Sequence, residues 1–449
     1  MKEYIIELSK YGISLLVILY TISCFFAFRK KNEKQSGLYV IQSLLLFAMQ
    51  LLFFLDLTFV SGEMQYVFFY VFVQVFLLAT LVMVPMIYED IHKPILNMMC
   101  MLLGTGLCII SRLSFQKAVR QYIIILVSLI ISLFIPYLMS RIRFFKKITW
   151  VYALVGIAAL GIVLILGEVT HGSKISFSIA GIAFQPSEFV KILLVFFLAA
   201  ALWEKTNFLR VALTALIAGG EVMILVLSRD LGSALIFFIA YVFMVFIATR
   251  NYLYLLAGAV GGSGAAMLAY RLFTHVQTRV QAWRDPWAYI DTKGWAVTQS
   301  LFAIGSGSWF GMGLLQGNPK AIPYVDQDFV FSCVCEELGV IYGICLILVM
   351  LCCFGLILKT AVQIRDRFYQ LIVFGIGILY IFQIFLTIGG GINLIPLTGV
   401  TLPFISYGGS SCMTTMFMFF IIQGIYIRLQ QGGGAKLGRR KGTQEKKAE

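Results

Sequence analysis

The sequence predicts an all-α fold, namely a polytopic bundle of membrane-spanning helices. Hydrophobic residues make up 60% of the 449 residues and charged residues only 12%, whereas soluble domains carry roughly 25% charged residues. The formal net charge of +14 lies in short loops and in the C-terminal tail. That distribution is typical of the positive-inside rule and argues against nucleic acid as the partner of the basic residues.

Thirteen apolar segments predict the individual spans, because a span needs about 20 residues. The first segment ends directly in the basic letters RKK with no small-residue cleavage site, so it is predicted to be a retained span and not a signal peptide. The thirteen segments are 11–28, 37–60, 64–88, 94–111, 121–139, 148–167, 187–203, 207–227, 230–248, 251–270, 330–357, 367–389 and 409–428.

Loop charge predicts the orientation of these spans. The stretches RKKNEK after the first span, RIRFFKK at 141–147, KTAVQIRDR at 359–367 and KLGRRKGTQEKK in the tail fall on one face when thirteen spans alternate. That face is predicted to be cytoplasmic, with the C-terminus inside. The basic stretch SRLSFQKAVRQ at 111–121 disagrees with the rule, because it falls outside. The outer segments are then 168–186, 271–329 and 390–408.

The stretch FQPSEFVKI at 184–192 puts two ionisable residues at the start of a span. Pro186 suits the first turn of a helix, where its missing N–H is not needed. Glu188 and Lys191 are three residues apart, so their side chains share one face and are predicted to pair. Two interpretations stay open, a capping ion pair that holds the entrance of the span and a functional pair.

The stretch SRDLGSALIFF at 228–238 opens another span. Asp230 lies at the predicted helix start, where a carboxylate is stabilised by roughly 0.3–1 kcal/mol. Arg229 beside it is a candidate contact for an anionic substrate group. Glu221 has no local partner, which predicts either a cation on another helix or a protonated carboxyl.

Two further stretches carry polar or irregular sequence near the outer face. In PYVDQDFVFSCVCEELG at 323–339, Asp328 and Glu336 are eight residues apart, so both are expected on one helical face. Their predicted partners are Lys191, an arginine or a divalent metal ion. GINLIPLTGVTLPFISYGGSS at 391–411 is rich in Gly and Pro, which predicts an irregular segment lining a cavity or, alternatively, an outer turn.

The strings FQPSEFVKI, RDLGSALIFF, GWAVTQSLFAIGSGSWFGMGL, IPYVDQDFVFSCVCEELG and NLIPLTGVTLPFISYGGSS resemble, in order and spacing, the SEDS family of bacterial cell-wall proteins, which includes FtsW, RodA and SpoVE. The resemblance covers about residues 94–430. It implies a ten-span core at 91–430 with the large loop 271–329 between its seventh and eighth spans. About three extra spans at 1–90 depart from the family pattern, and the basic tail 431–449 is predicted to be cytoplasmic and disordered.

The resemblance also implies a function. Family members polymerise lipid II into peptidoglycan strands at the outer face of the cytoplasmic membrane, so it implies a glycosyltransferase of cell division, elongation or sporulation. The implied ligands are lipid II and the nascent glycan strand, and the implied partner is a class B penicillin-binding transpeptidase. A lipid II flippase and a non-catalytic scaffold of the synthase are the alternatives. The reaction needs a base and a cation for the pyrophosphate, so a divalent cation such as Mg²⁺ or Mn²⁺ is a candidate cofactor.

The family's catalytic aspartate precedes a motif that matches Gly294-Trp295-Ala296, and its column falls on Tyr289. Tyrosine is a poor base at neutral pH because its reference pKa is about 10. Either the loop shifts locally so that Asp291, two residues later, is the catalytic base, or the site is impaired, and we predict the first. The remaining residues that the resemblance assigns to substrate binding or to a central cavity are Glu188, Lys191, Arg229, Asp230, Asp328, Glu336, Ser410 and Ser411.

Overall fold

The computed structural model describes residues 2–29, 36–141, 144–170, 173–179, 182–204 and 206–445. The basic stretch RKKNEK lies outside the described residues except for its first residue, Arg29. Two residues of RIRFFKK, at positions 142 and 143, also lie outside this described part. Its α-helices, in chain order, are α1 (Lys2–Arg29), α2 (Ser36–Ser61), α3 (Gln65–Ile87), α4 (Lys93–Leu113), α5 (Phe115–Ser132), α6 (Phe134–Arg141), α7 (Thr149–Leu166), α8 (Pro186–Leu202), α9 (Phe208–Leu227), α10 (Leu231–Thr249), α11 (Tyr252–Leu272), α12 (Thr274–Arg284), α13 (Trp295–Gly307), α14 (Val330–Gln363), α15 (Arg367–Gly391) and α16 (Gly409–Glu445).

The predicted membrane bundle is confirmed, because each of the thirteen apolar segments forms a helix. Twelve spans in the described residues are long and apolar enough to cross a membrane, and α5 and α6 together make one of them, Phe115–Arg141. The thirteenth segment is α8, which has 17 residues and carries Glu188 and Lys191. It is the shortest of the thirteen, and its first turn carries the acidic residue Glu188.

Polar caps fix the starts of several spans. Asp230 at α10, Asn251 at α11 and Asp366 at α15 each accept a hydrogen bond from a backbone N–H two or three residues further on. Such caps stabilise a helix by about 1 kcal/mol because they satisfy donors that the first turn leaves unpaired. The N-capping role predicted for Asp230 is therefore confirmed.

The helices differ greatly in how far they are enclosed. Helix α4 is central, with 94% of its span buried, and α15 and α16 follow with 78% each. The helices α1, α2 and α3 pack against α4 and α14. Helix α11 lies at the periphery, because none of its span is buried within the protein.

The outer segment 168–186, expected to be a loop, contains a small antiparallel sheet of order β1-β2-β3. Its strands are β1 (Glu168–Thr170), β2 (Ser173–Ile179) and β3 (Ile182–Phe184). The β2–β3 register pairs Phe177 with Phe184. The strands lie beside α7 and α16, and β3 leads directly into α8.

The large loop contains α12 and α13 and then folds back against α14. Helix α14 is interrupted at Gly339, which has a φ of 89°. At this break the backbone N–H groups of Met312 and Gly313 donate to the carbonyls of Glu336 and Glu337, at 2.9 and 3.0 Å. The end of the loop is thereby joined to α14 by backbone hydrogen bonds.

In the structure, α16 continues to Glu445. The disorder and the cytoplasmic side of the tail 431–449 stay predictions.

Candidate active site

The predicted Glu188–Lys191 pair is present at the start of α8. Pro186 occupies the first turn of the helix, and Lys191 Nζ lies 2.5 Å from Glu188 Oε2. Lys191 is 3% exposed, so the ammonium group needs further partners. It donates a second hydrogen bond to Gln383 Oε1 of α15, at 2.9 Å.

Gln383 extends this network to the Gly- and Pro-rich segment before α16. Its Nε2 donates to the carbonyl of Thr401 at 3.0 Å and to Ser411 Oγ at 3.2 Å. The Thr401 hydroxyl lies 2.8 Å from Ser411 Oγ, and Ser410 Oγ accepts from the backbone N–H of Gln185 at 3.0 Å. The structure thus brings Glu188, Lys191, Ser410 and Ser411 together, as the resemblance implies.

This network lines a cavity of about 200 Å³. The segment 392–408 forms no regular helix and supplies part of the wall, as its Gly and Pro content predicts. The lining side chains are polar on one side and apolar on the other. They belong to Ile124, Ser176, Gln185, Ser187, Glu188, Lys191, Ser233, Ile236, Phe237, Gln327, Gly399, Val400, Thr401, Tyr407, Gly408, Gly409, Ser410 and Ser411.

Asp230 lies just behind the cavity wall. Besides capping α10, its Oδ2 accepts from Gln185 Nε2 at 3.2 Å and from the Ser187 hydroxyl at 3.4 Å. Burial raises the pKa of the Asp230 carboxyl above its ordinary value, and the hydrogen bonds from Ser233 oppose that change. Arg229 is exposed and adopts a left-handed backbone conformation with a φ of 63°.

Asp291 lies in the turn between α12 and α13. It is exposed, and its carboxylate makes no hydrogen bond or ion pair with any described residue. The turn is tight, because a Cβ at Gly294 would stand 2.4 Å from the carbonyl oxygen of Pro286. Asp291 does not line the cavity, so the structure does not bring it to the Glu188–Lys191 network.

Lys293 and Tyr289 hold this turn together. The Lys293 ammonium lies 3.8 Å from the centroid of the Tyr289 ring and donates to Gln281 Oε1 of α12. A cation over an aromatic face is attracted by about 0.5–1 kcal/mol at an exposed site. Tyr289, which occupies the family's catalytic column, therefore has a packing contact in this turn.

Asp328 and Glu336 do not share one face, so that expectation is wrong. Asp328 precedes the first residue of α14 and lies beside Gly399, where a Cβ would be 3.9 Å from its Oδ2. Glu336 lies within α14 and accepts from the backbone N–H of Asn318 at 2.8 Å. Helical spacing does not relate the two residues, because the chain is not helical at Asp328. Burial raises the pKa of Asp328 to about 7, although the Arg279 guanidinium opposes that change.

The basic stretch 111–121, which disagrees with the charge rule, provides partners for two buried acids. Arg112 Nε lies 2.7 Å from Glu337 Oε1, and Lys117 Nζ lies 2.5 Å from Asp326 Oδ2. Arg112 is therefore neutralised in the interior, and Lys117 is neutralised at the surface. The arginine expected near the acids of this region is present twice, because Arg112 pairs with Glu337 and the Arg279 guanidinium lies near Asp328.

The remaining expectations concern a cation and a buried acid. Within the described residues, no three His, Cys, Asp or Glu side chains come together to hold a metal ion, and the divalent cation stays a prediction. Glu221 is 1% exposed, and its Oε2 has no hydrogen-bond partner among the described residues.

Gln383 and Arg279 were missed by sequence reasoning, and an amide inside an apolar span was the only signal for Gln383.

Comparison with known proteins relates this architecture to one family. The family of the cell cycle proteins FtsW, RodA and SpoVE matches residues 94–431. The peptidoglycan glycosyltransferase RodA of Mycobacterium leprae is 31% identical over 354 residues, covering 73% of this chain and 76% of that protein. The stage V sporulation protein E of Bacillus subtilis is 32% identical over 317 residues, covering 68% of this chain and 85% of that protein.

Coverage is lower for other relatives. RodA of Mycobacterium tuberculosis is 35% identical over 280 residues, and the match covers 58% of each protein.

Among solved structures, a chain of a peptidoglycan synthase complex has a TM-score of 0.66 at 23% identity, covering 76% of this chain and 99% of that chain. RodA of Thermus thermophilus has a TM-score of 0.56 at 23% identity, covering 75% of this chain and 96% of that one. The fold is therefore shared with these proteins.

Proposed function

This chain belongs to the FtsW, RodA and SpoVE family of cell cycle proteins, and from that premise we propose that it is a peptidoglycan glycosyltransferase. It polymerises lipid II into glycan strands in cell division, elongation or sporulation. The observation that carries the proposal is the cavity network of Glu188, Lys191, Gln383 and Ser411, in a chain whose relatives are named peptidoglycan glycosyltransferases.

The chemistry assigns a role to Asp291. A sugar hydroxyl of one lipid-linked unit attacks the anomeric carbon of another. The C–O bond to the lipid pyrophosphate breaks, and the hydroxyl proton passes to a carboxylate base. Asp291 is suited to this role because it is exposed and has no partner among the described residues that would compete for the proton. The turn 285–294 must approach the cavity for the reaction, and a single displacement inverts the anomeric centre.

The buried network is suited to holding the substrate rather than to proton transfer. Lys191 is neutralised by Glu188, so the cavity wall carries hydroxyl and amide groups without a net charge. Such groups bind sugar and amide functions by directional hydrogen bonds. Ser410, Ser411 and Thr401 supply these groups on the side of the cavity nearest segment 392–408.

The proposal includes the membrane side and the partners. We place the large loop 271–329 at the outer face of the cytoplasmic membrane and the C-terminus inside, on the basis of loop charge. Lipid II and the growing strand are the ligands, and a class B penicillin-binding transpeptidase is the partner. The likeness to a chain of a peptidoglycan synthase complex supports the existence of a partner. Mg²⁺ or Mn²⁺ enters this proposal as an ion that accompanies the substrate.

The test is polymerisation by the purified full chain in detergent, supplied with fluorescent lipid II, with and without the partner. We expect glycan ladders from the wild type and a loss of about 10²- to 10⁴-fold in rate from Asp291→Asn, which removes the base. Asp90→Asn is the matched control, since Asp90 is an exposed aspartate between α3 and α4. The same assay with a chelator added tests whether polymerisation needs the divalent cation.

Two outcomes contradict the proposal. Ladders of wild-type intensity from Asp291→Asn would remove Asp291 from the base role. No ladders from the wild type, even with the partner present, would favour a lipid flippase or a scaffold.

A further inference from the structure

A group of basic side chains lies outside the cavity wall and is not explained by the network described above. His275 and Arg279 are four residues apart on α12, so both side chains lie on one face of that helix. Arg279 Nη1 donates to the carbonyl of Thr398 at 3.2 Å. This contact attaches the large loop to the irregular segment 392–408.

Arg229 is the third member of the group and comes from the junction of α9 and α10. Burial, and then the positive charges of Arg279 and Arg229, lower the pKa of the His275 imidazole. Both guanidinium groups are therefore near the imidazole. Arg229 is held at a φ of 63°, which is uncommon for a residue with a side chain and tends to occur at functional positions. Three basic groups from two separate elements thus converge.

Two polar atoms beside these cations lack partners. His275 Nε2 and Thr398 Oγ1 are buried and make no hydrogen bond with any described residue. A buried polar group without a partner costs about 1–3 kcal/mol, so a site that keeps two of them is suited to a ligand that satisfies them. The start of α12 also has no side-chain cap, which leaves its first N–H groups available to an anion.

The group lies directly beside the cavity. A Cβ at Gly399, which lines the cavity, would stand 3.7 Å from Arg279 Nη2 and 3.9 Å from Asp328 Oδ2. Arg279 therefore stands at the rim, across Gly399 from Asp328. An anion bound to it would be adjacent to sugar groups held inside the cavity.

We propose that Arg229, His275 and Arg279 form a binding site for the pyrophosphate of a lipid-linked sugar. This inference rests on the proposed function and extends it by assigning the leaving group of the donor. The two arginines match the two phosphates in charge, the His275 imidazole adds a polar contact, and the guanidinium fork bonds two phosphate oxygens at once. When the bond from the anomeric carbon to the phosphate oxygen breaks, the electron pair goes to that oxygen. The three basic groups stabilise the negative charge that develops there.

The test measures binding, which needs no turnover. The full chain in phosphatidylcholine nanodiscs is titrated with farnesyl pyrophosphate, with farnesyl monophosphate and with inorganic pyrophosphate. We expect Arg279→Gln to raise the Kd for farnesyl pyrophosphate about tenfold and that for the monophosphate about twofold, because a charge-assisted bidentate contact is lost. Weak binding of inorganic pyrophosphate would indicate that the lipid chain contributes to the site.

Two variants control this experiment. Arg284→Gln changes an exposed arginine on the same helix and is expected to leave every Kd unchanged. Arg229→Gln changes an exposed side chain and is expected to reduce the preference for farnesyl pyrophosphate over farnesyl monophosphate. This variant tests the site independently if Arg279→Gln fails to fold.

Equal losses for both farnesyl lipids would show that Arg279 only holds α12 to segment 392–408 and would overturn the inference, as would the same loss from Arg284→Gln. Absence of glycan ladders with the pyrophosphate preference intact would instead contradict the proposed function alone.

Discussion

At the scale of single residues, Asp328 lies close enough to Arg279 to weaken the binding of an anion to that arginine. Its carboxyl lies across Gly399 from the Arg279 guanidinium and has a pKa of about 7, which burial raises. Asp326 is the other charged group near it and is itself paired with Lys117. Below this pKa Asp328 is neutral and leaves Arg279 available to an anion. Above it, the carboxylate attracts Arg279 and repels phosphate.

We therefore expect the affinity for farnesyl pyrophosphate to fall as pH rises from about 6 to about 8, one unit on either side of the Asp328 pKa. The Kd of the wild type is expected to rise about threefold more than that of Asp328→Asn, because only the wild type gains the nearby negative charge. The ionisation of the probe itself is common to both proteins. Parallel pH profiles for the two proteins would contradict this role.

Local spacing predicted part of the site correctly. The Glu188–Lys191 pair and the Asp230 cap each depend on residues three positions apart, so the sequence contains both partners. Gln383 was not predictable in the same way, because its bond to Lys191 joins residues separated by 192 positions. The position of Arg279 beside Thr398 likewise depends on how the large loop folds back, which no local pattern encodes.

At the scale of elements, the break in α14 joins the spanning bundle to the large loop. Gly339 has a φ of 89° and a ψ of 163°, a region that is essentially restricted to glycine. A Cβ there would stand 2.4 Å from the carbonyl oxygen of Trp309 and 2.5 Å from the backbone nitrogen of Gly311. The sequence predicted an uninterrupted span at 330–357, because a single glycine in an apolar run does not indicate a break.

We expect Gly339→Ala to destabilise the protein by about 3 kcal/mol or more, through backbone strain together with the clash against the loop. Gly305→Ala is the matched control, since Gly305 lies inside α13 and a Cβ added there would have no neighbouring atom within 4 Å. That change is expected to be neutral or to stabilise by up to about 1 kcal/mol. Thermal unfolding of the purified variants in detergent measures both. Equal melting temperatures would contradict the strain at Gly339.

Apolar length predicted the spanning helices, but it could not predict the sheet at 168–184. The stretch KISFSI in β2 alternates apolar and polar residues, which is the pattern of a strand. The strand signal is therefore present in the sequence, but it is short and lies between two long apolar runs. Short strands between long helices are easily missed when hydrophobic runs dominate the interpretation.

At the scale of the whole molecule, α1, the first of the three helices before the family match, contacts the large loop. The ring of Tyr11 in α1 lies 5.1 Å from that of Phe310, and a Cβ at Gly313 would be 2.5 Å from Ile6 Cγ2. Ser9 of α1 donates to Asp56 of α2 at 2.6 Å, which fixes α1 on its neighbour. Helix α1, which α2 holds in place, therefore packs against the same loop that carries Asp291.

Contacts between helix ends agree with the alternating direction of the spans from which loop charge was interpreted. Lys146 lies 2.7 Å from Asp366, so the ends of α6 and α14 meet at one end of the bundle. Arg428 of α16 donates to the carbonyl of Met139 at the same end. The Lys117–Asp326 pair joins the α4–α5 connection to the large loop. Two of the three cations in the stretch 111–121, Arg112 and Lys117, are paired with acids of the protein, which the charge rule does not consider.

The side of the membrane follows from labelling single cysteines in intact cells with a membrane-impermeant maleimide. The nine native cysteines are all buried, so they give little background. We expect Ala288→Cys in the large loop to react and Lys147→Cys between α6 and α7 to react only after lysis, since both positions are exposed and lie on opposite ends of the predicted alternation. The reverse result would place Asp291 on the cytoplasmic side, where a polymerase of external glycan strands could not use it.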